Sequence, residues 1–280
     1  MSHESISHFM SEAMKLAEQS IPFSSPNPAV GAVIVKNGKI IGKGKTSPFG
    51  GRHAEANAIR SVHDKNYLKG ATLYCTLEPC SHSGKTPPCT TAIIESKFKN
   101  VIIALKDPDS QVNGKGIKQL RKANIQVIIG DGSNEVNNQL MSYIYHRKTG
   151  LPFFSAKLAS TLDGKIATMK NDSKWISNNA SRNRVHKFRS KVDAILVGSK
   201  TVIIDNPFLT ARRNGKLLKN QPLRIVIDSK GQLSTNYNIF NNDAETLVVT
   251  TDASSKKWRK QIEKAGHSFI IIDDKLKQVD

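Results

Sequence analysis

Residues 6 to 17 put Ile6, Phe9, Met10, Ala13 and Ala17 on one helical face, the spacing of an amphipathic packing helix. Beyond the loop PFSSPNPA, the apolar runs VGAVIV and IIGKGK flank KNGK, and Asn-Gly between two strands predicts a type I′ hairpin. A Gly-Gly hinge leads into HAEANAIRSV, which has helix-forming composition. The series continues with the strand ATLYCTL, the helix PPCTTAIIESKF with proline in its first turn, and the strand NVIIAL. The helix KGIKQLRKA, the strand IQVIIG and a helix over 134–146 follow. Strands alternating with helices predict a three-layer α/β domain.

The pattern breaks at HRKTGLP, residues 146–152, and restarts with PFFSAKLAS, a polar stretch and the helix NNASRNRVHKFRS. Four apolar runs come next: DAILVG, LRIVID, TLVVTT and SFIII. A chain of 280 residues exceeds the ~100–200 of an ordinary domain, so two domains are expected, 1–147 and 148–280. The sequence has neither an internal repeat nor a low-complexity tract.

Apolar residues at 38% and charged residues at 23% describe a globular protein, and no run reaches the ~18 apolar residues of a membrane span. The first twenty residues lack the basic and apolar regions of a signal peptide, which predicts a cytoplasmic protein without a membrane partner. Lys and Arg outnumber Asp and Glu by 42 to 23, a formal charge of +19 that suits nucleic acid or phosphorylated small molecules. The excess is spread over runs such as KLLKN and SKKWRKQIEK, with little aromatic interleaving, so it does not by itself favour nucleic acid.

Two of the three cysteines stand in one turn-forming loop, TLEPCSHSGKTPPC, residues 76–89. A paired disulfide framework is excluded by number, and a reducing compartment keeps thiols free for metal or catalysis. With His53 of HAE, Cys80 and Cys89 form the ligand set of a catalytic zinc, which keeps its fourth position for water. Backbone N–H groups at a helix start favour the thiolate that binds metal. Glu55, two residues after His53, cannot share its direction on a helix and is free to shuttle protons. The alternative is a closed zinc knot with His82 as fourth ligand. Cys75 alternates with Leu73 and Leu77 and reads as a buried thiol. His63, His146, His186 and His267 read as ordinary polar or packing residues.

H-x-E followed by P-C and a second cysteine is the signature of zinc-dependent nucleobase deaminases. HAEANAI, TLEPCSHSGKTPPC and KDPDSQVNGKGIKQLRKANIQV resemble the deaminase half of the bifunctional deaminase/reductase family of riboflavin biosynthesis. The insertion SHSGKTPP distinguishes that family from cytidine and tRNA adenosine deaminases, whose cysteines are usually separated by only two residues. The resemblance implies a cytidine-deaminase-like fold and hydrolytic deamination of 2,5-diamino-6-ribosylamino-4(3H)-pyrimidinone 5′-phosphate. It also implies substrate contacts at Asn27, His82, Lys85, Thr86 and Asp107. Lys85, in a glycine-flanked loop, can offer charge to a phosphate, or stand as a solvated charge. Two positions depart from the family's pattern: Asp109, where asparagine is common, and Thr46, where many members carry histidine.

KLASTLDGKIA, SKWIS, RNRVHKFRSKVDAILVGSKTVIIDNPFLTAR and LRIVIDS resemble the family's reductase half, which implies a dihydrofolate-reductase-like α/β fold and NADPH-dependent reduction of a ribosyl group to ribityl. The matching nucleotide-contacting positions are Ala159, Trp175, Thr201, Asp205 and Ser229. Those for substrate are Ser173, Arg189, Leu209 and Arg212. Arginines suit a sugar phosphate and Trp175 a flat apolar wall, although core packing is the simpler reading of Trp175. Family members continue beyond SFIIIDD into further strands and a glycine-containing turn before a helix, whereas this sequence stops at Asp280. The expectation is an incomplete reductase with weakened phosphate binding and an exposed sheet edge. The resemblance and the incomplete sheet are both compatible with a homo-oligomer. Two other function classes bear on the same residues: a tRNA or nucleic-acid base deaminase, and a zinc-stabilised binding module.

Overall fold

The computed structural model describes residues 6–84, 86–170 and 172–273. The chain divides into two compact units, 1–155 and 156–280, eight residues beyond the break at 147 read from the sequence.

In the first unit, α1 (His8–Glu18) and the short α2 (Ile21–Ser24) precede β1 (Gly31–Lys36) and β2 (Lys39–Lys45). The Ser7 side chain caps α1 by accepting from Met10 N–H at 3.2 Å, and Met10, Ala13 and Ala17 are buried. Asn37 and Gly38 close the hairpin at φ 50° and 71°, the left-handed pair a type I′ turn requires. Then come α3 (Ala54–Ser61), β3 (Thr72–Leu77), α4 (Cys89–Glu95), β4 (Asn100–Leu105), α5 (Lys115–Lys122) and β5 (Gln126–Ile129). The strand order is β2-β1-β3-β4-β5, with β1 antiparallel to both neighbours and β3, β4 and β5 parallel.

Helices cover both faces. A Cβ on Gly31 would lie 1.8 Å from Ala13 O in α1, and one on Gly44 2.1 Å from Ala54 O in α3. Gly44 pairs with Ala32, the neighbour of Gly31, so period-two alternation sends the two glycines to opposite faces. Beside α3 lies α4, and α5 packs against α4. In place of one helix over 134–146 there are two, α6 (Ser133–Gln139) and α7 (Met141–Thr149), meeting at the buried Leu140. Gly150, at φ 74°, ends α7 by donating its N–H to His146 O at 2.8 Å.

The second unit contains α8 (Asn179–Arg189), β6 (Ala194–Gly198), α9 (Ser199–Asp205), the two-residue strands β7 (Arg212–Arg213) and β8 (Lys216–Leu217), β9 (Leu223–Ile227), β10 (Thr246–Thr250), α10 (Lys256–Lys264) and β11 (Ser268–Ile271). Its parallel sheet runs β11-β10-β9-β6. The core is its own, built from Val202, Val226, Val248, Ile239, Trp258 and Ile262 among others. Arg224, fully buried in β9, donates to Asn241 Oδ1 at 2.8 Å, Asn241 O at 2.6 Å and Ala244 O. The apolar run 152–160 joins neither sheet, and Phe154 and Leu158 are exposed. Among the described residues no helix is long and apolar enough to cross a membrane.

Candidate metal centre and substrate sites

His53 stands at the N-cap of α3, Cys80 in the turn after β3, and Cys89 in the first turn of α4. His53 Nδ1 lies 3.5 Å from Cys80 Sγ and 3.4 Å from Cys89 Sγ, and all three atoms fall within 4.8 Å of one another. A tetrahedral ion at ~2.3 Å from sulfur and ~2.0 Å from nitrogen separates such atoms by about 3.5 Å, so the donor set fits zinc. No fourth ligand joins the cluster among the described residues, and His82 is exposed. Closing it as a structural knot would need a ligand that is not at hand.

Electrostatics prepare the sulfurs. Hydrogen bonding from the Cys89 side chain, then from His53 and Cys89 N–H at 3.4 Å, holds the Cys80 thiol well below its ordinary range. The same thiolate and burial push Cys89 up. His53 is raised chiefly by its hydrogen bond to Cys80. Glu55 is buried beside these groups, shares a hydrogen bond with the Cys89 side chain, and is pushed up to about 7, chiefly by burial and then by Cys80. Cys75 is fully buried in β3 and outside the cluster, its Sγ 3.8 Å from Ile102 O.

The seat of the metal ligands is steric on one side and polar on the other. Gly44 admits the first turn of α3 against β2, while Asn57 Nδ2 ties α3 to Lys45 O at 2.8 Å and Ser47 Oγ at 2.9 Å. Glu78, buried two residues before Cys80, accepts from Asp107 N–H at 3.3 Å, Gly114 N–H at 2.8 Å and Ile117 N–H at 3.2 Å. It thus joins the metal-ligand turn to the loop after β4 that carries Asp107. Sequence reasoning missed Glu78; the signal for it was a lone carboxylate closing the apolar strand ATLYCTLEP.

Asp107 is buried, its Oδ1 accepting from Asp109 N–H at 2.9 Å, and burial raises its carboxyl above the ordinary range. Asn27 is half-buried and its N–H donates to Ser24 O at 2.9 Å. Thr86 is half-buried, and Lys85 lies outside the described residues. The Thr46 hydroxyl is spent on the backbone, donating to Pro28 O and accepting from Val30 N–H, each at 3.0 Å.

In the second unit Trp175 is 71% exposed, so it is not a core residue; the Arg182 guanidinium stacks 4.4 Å from its ring centroid. Ser173 Oγ donates to Asp205 Oδ1 at 3.4 Å. Arg189 Nη1 donates to Thr210 O at 3.2 Å and Arg212 Nε to Thr210 Oγ1 at 3.0 Å, which gathers two of the expected cations on one residue. Leu209 buries its side chain in the core, with backbone φ 52°. Thr201 is exposed on α9, and Ala159 and Ser229 are half-buried, Ser229 O accepting from Thr251 Oγ1 at 2.9 Å.

Residues 3–105 match the family model of the cytidine and deoxycytidylate deaminase zinc-binding region, and residues 152–280 match that of the RibD C-terminal domain. The riboflavin biosynthesis protein RibD of Chlamydia muridarum is 43% identical over 260 residues, spanning 92% of this chain and 70% of that protein. The chain belongs to the RibD family. The RibD of Aquifex aeolicus is 40% identical over 97% of this chain and 75% of its own length. A solved RibD of Acinetobacter baumannii superposes with a TM-score of 0.83 at 33% identity, covering 96% of this chain and 74% of that one. The Thermotoga maritima diaminohydroxyphosphoribosylaminopyrimidine deaminase/5-amino-6-(5-phosphoribosylamino)uracil reductase gives 0.82 at 39% identity, over 96% and 81%. RibD-family membership makes this chain a bifunctional deaminase/reductase of riboflavin biosynthesis, with a zinc-binding deaminase region and an NADPH-using reductase domain. Neither the nucleic-acid deaminase nor the zinc-stabilised binding module is favoured.

Proposed function

We propose that the first unit deaminates 2,5-diamino-6-ribosylamino-4(3H)-pyrimidinone 5′-phosphate and that the second reduces the ribosyl group of 5-amino-6-(5-phosphoribosylamino)uracil to ribityl. The observation that carries the first half is the convergence of His53 Nδ1, Cys80 Sγ and Cys89 Sγ within 4.8 Å, with Glu55 buried beside them. These three side chains hold zinc, which when bound supplies a Lewis acid that activates water near neutral pH. Glu55 takes a proton from the attacking water and returns it to the exocyclic nitrogen, so that the C–N bond breaks, ammonia leaves and a ring carbonyl remains. Asn27, His82, Lys85, Thr86 and Asp107 orient the pyrimidine and its sugar phosphate.

In the second unit Ala159, Trp175, Thr201, Asp205 and Ser229 line the nucleotide's place, and NADPH supplies the hydride when bound. Ser173, the backbone at Leu209, Arg189 and Arg212 take the sugar phosphate; the two guanidiniums on Thr210 support that assignment. Three free cysteines, two of them required as thiolates, suit a reducing cytoplasm.

Ammonia release from the diaminopyrimidinone phosphate tests the deaminase half. At equal zinc content Glu55→Gln should lower turnover by about 10²–10⁴. Equal rates in the two proteins would remove Glu55 from its role, and a wild-type protein that binds zinc but releases no ammonia would refute the substrate.

A further inference from the structure

We propose that Tyr143, on the helix α7 that follows the deaminase sheet, is a positioning residue which fixes the Asp107 carboxylate for substrate. The inference rests on Asp107 being a substrate contact. Its basis is a set of connections around one loop. Tyr143 Oη donates to Asp107 Oδ1 at 3.1 Å and shares that bond with Oδ2 at 3.3 Å. Asp109 N–H donates to Oδ1 as well, at 2.9 Å, and Glu78 holds the Asp107 backbone from the metal-ligand side. Oδ1 therefore takes two donors, while among the described residues Oδ2 takes only its share of the phenol proton and keeps a lone pair for a donor on the substrate, such as a sugar hydroxyl. One helical turn after Tyr143, Arg147 Nε pairs with Asp109 Oδ2 at 3.5 Å, and its guanidinium stacks 5.3 Å from the Tyr143 ring centroid. Both loop carboxylates are thus gripped from a single helix face.

Burial, and next the neighbouring Asp107 carboxylate, raise the Tyr143 phenol above its ordinary range, so it remains a donor. Residues 141–149 lie outside both stretches matched by the family models, 3–105 and 152–280. Nothing in those matches gives α7 a part in deamination. The geometry does: removing the phenol oxygen frees a buried carboxylate to rotate without disturbing the metal ligands.

The test is steady-state deamination of the diaminopyrimidinone phosphate by the full chain, with rates expressed per bound zinc. The variants are Tyr143→Phe, Asp107→Ala and the double variant. Phenylalanine keeps the packing of this ring against the core of the first unit. Tyr143→Phe should raise KM about tenfold, the scale of one lost hydrogen bond to a charged group, with kcat and zinc content unchanged. Asp107→Ala should raise KM at least as much, and adding Tyr143→Phe to it should cost nothing further, because both act through one contact. A raised KM in Asp107→Ala with none in Tyr143→Phe overturns the inference and leaves Asp107 its role. An unchanged KM in Asp107→Ala overturns the role of Asp107 and the inference with it. A Tyr143→Phe protein that loses zinc or melting temperature at unaltered KM makes Tyr143 a packing residue, which also overturns the inference.

Discussion

Glu78 shows how a residue can shape a site through backbone hydrogen bonds. Among the described residues its partners are backbone N–H groups at 107, 114 and 117, which belong to the loop and helix start facing the metal-ligand turn. Glu78→Gln keeps the shape but turns an amide donor toward N–H groups. We expect a loss of roughly 3 kcal/mol and a melting temperature lower by about 6–12 °C, read by thermal denaturation. A shift under ~2 °C would mean that the three hydrogen bonds are replaced by water. The metal ligands were legible because their chemistry is written in residue type and spacing: His53, Cys80 and Cys89 resemble few other arrangements. Glu78, Tyr143 and the buried Arg224 were not, because their roles depend on which carbonyls, N–H groups or carboxylates the fold brings over them. An arginine within LRIVID does signal something unusual, yet its acceptors come from the fold: the 238–244 loop turning back over β9, and the carbonyl of Phe208.

At the level of elements, the seat of α3 on β2 is set by the absence of a side chain. A methyl on Gly44 would sit 2.1 Å from Ala54 O, so Gly44→Ala has to push the helix start away by about 1 Å in a packed interior. His53 and Glu55 ride on that turn. We expect the variant to retain zinc ~10-fold or more weakly, measured as metal per chain after dialysis against a mild chelator. Wild-type zinc retention would show that the helix tilts about its far end instead. The hairpin and the alternation of strands and helices were readable because Asn-Gly and two hydrophobic periods are local signals. The division of 134–146 into α6 and α7 was not, since burial of Leu140 is a tertiary event. PFFSAKLAS restarts the apolar pattern without forming an element, since a strand also needs a neighbour to pair with, and none pairs with it among the described residues.

For the molecule as a whole, each unit has its own core, and the metal centre belongs to the first alone. Zinc bound to the native state stabilises only what folds around it. Stripping the metal with a strong chelator should therefore lower one calorimetric transition and leave a second in place. Equal shifts of both would show that the units unfold together. Length and the pause in pattern at 146–152 pointed to two domains; α7 extends into that pause as far as Thr149 and buries none of its residues, so no apolar period marks its end in the sequence. Anyone wishing to graft the deaminase onto another protein should respect this. A cut after 147 removes the last two residues of α7 and the glycine that ends it, three positions past the arginine that grips Asp109, whereas a cut at 155 carries the whole clasp along.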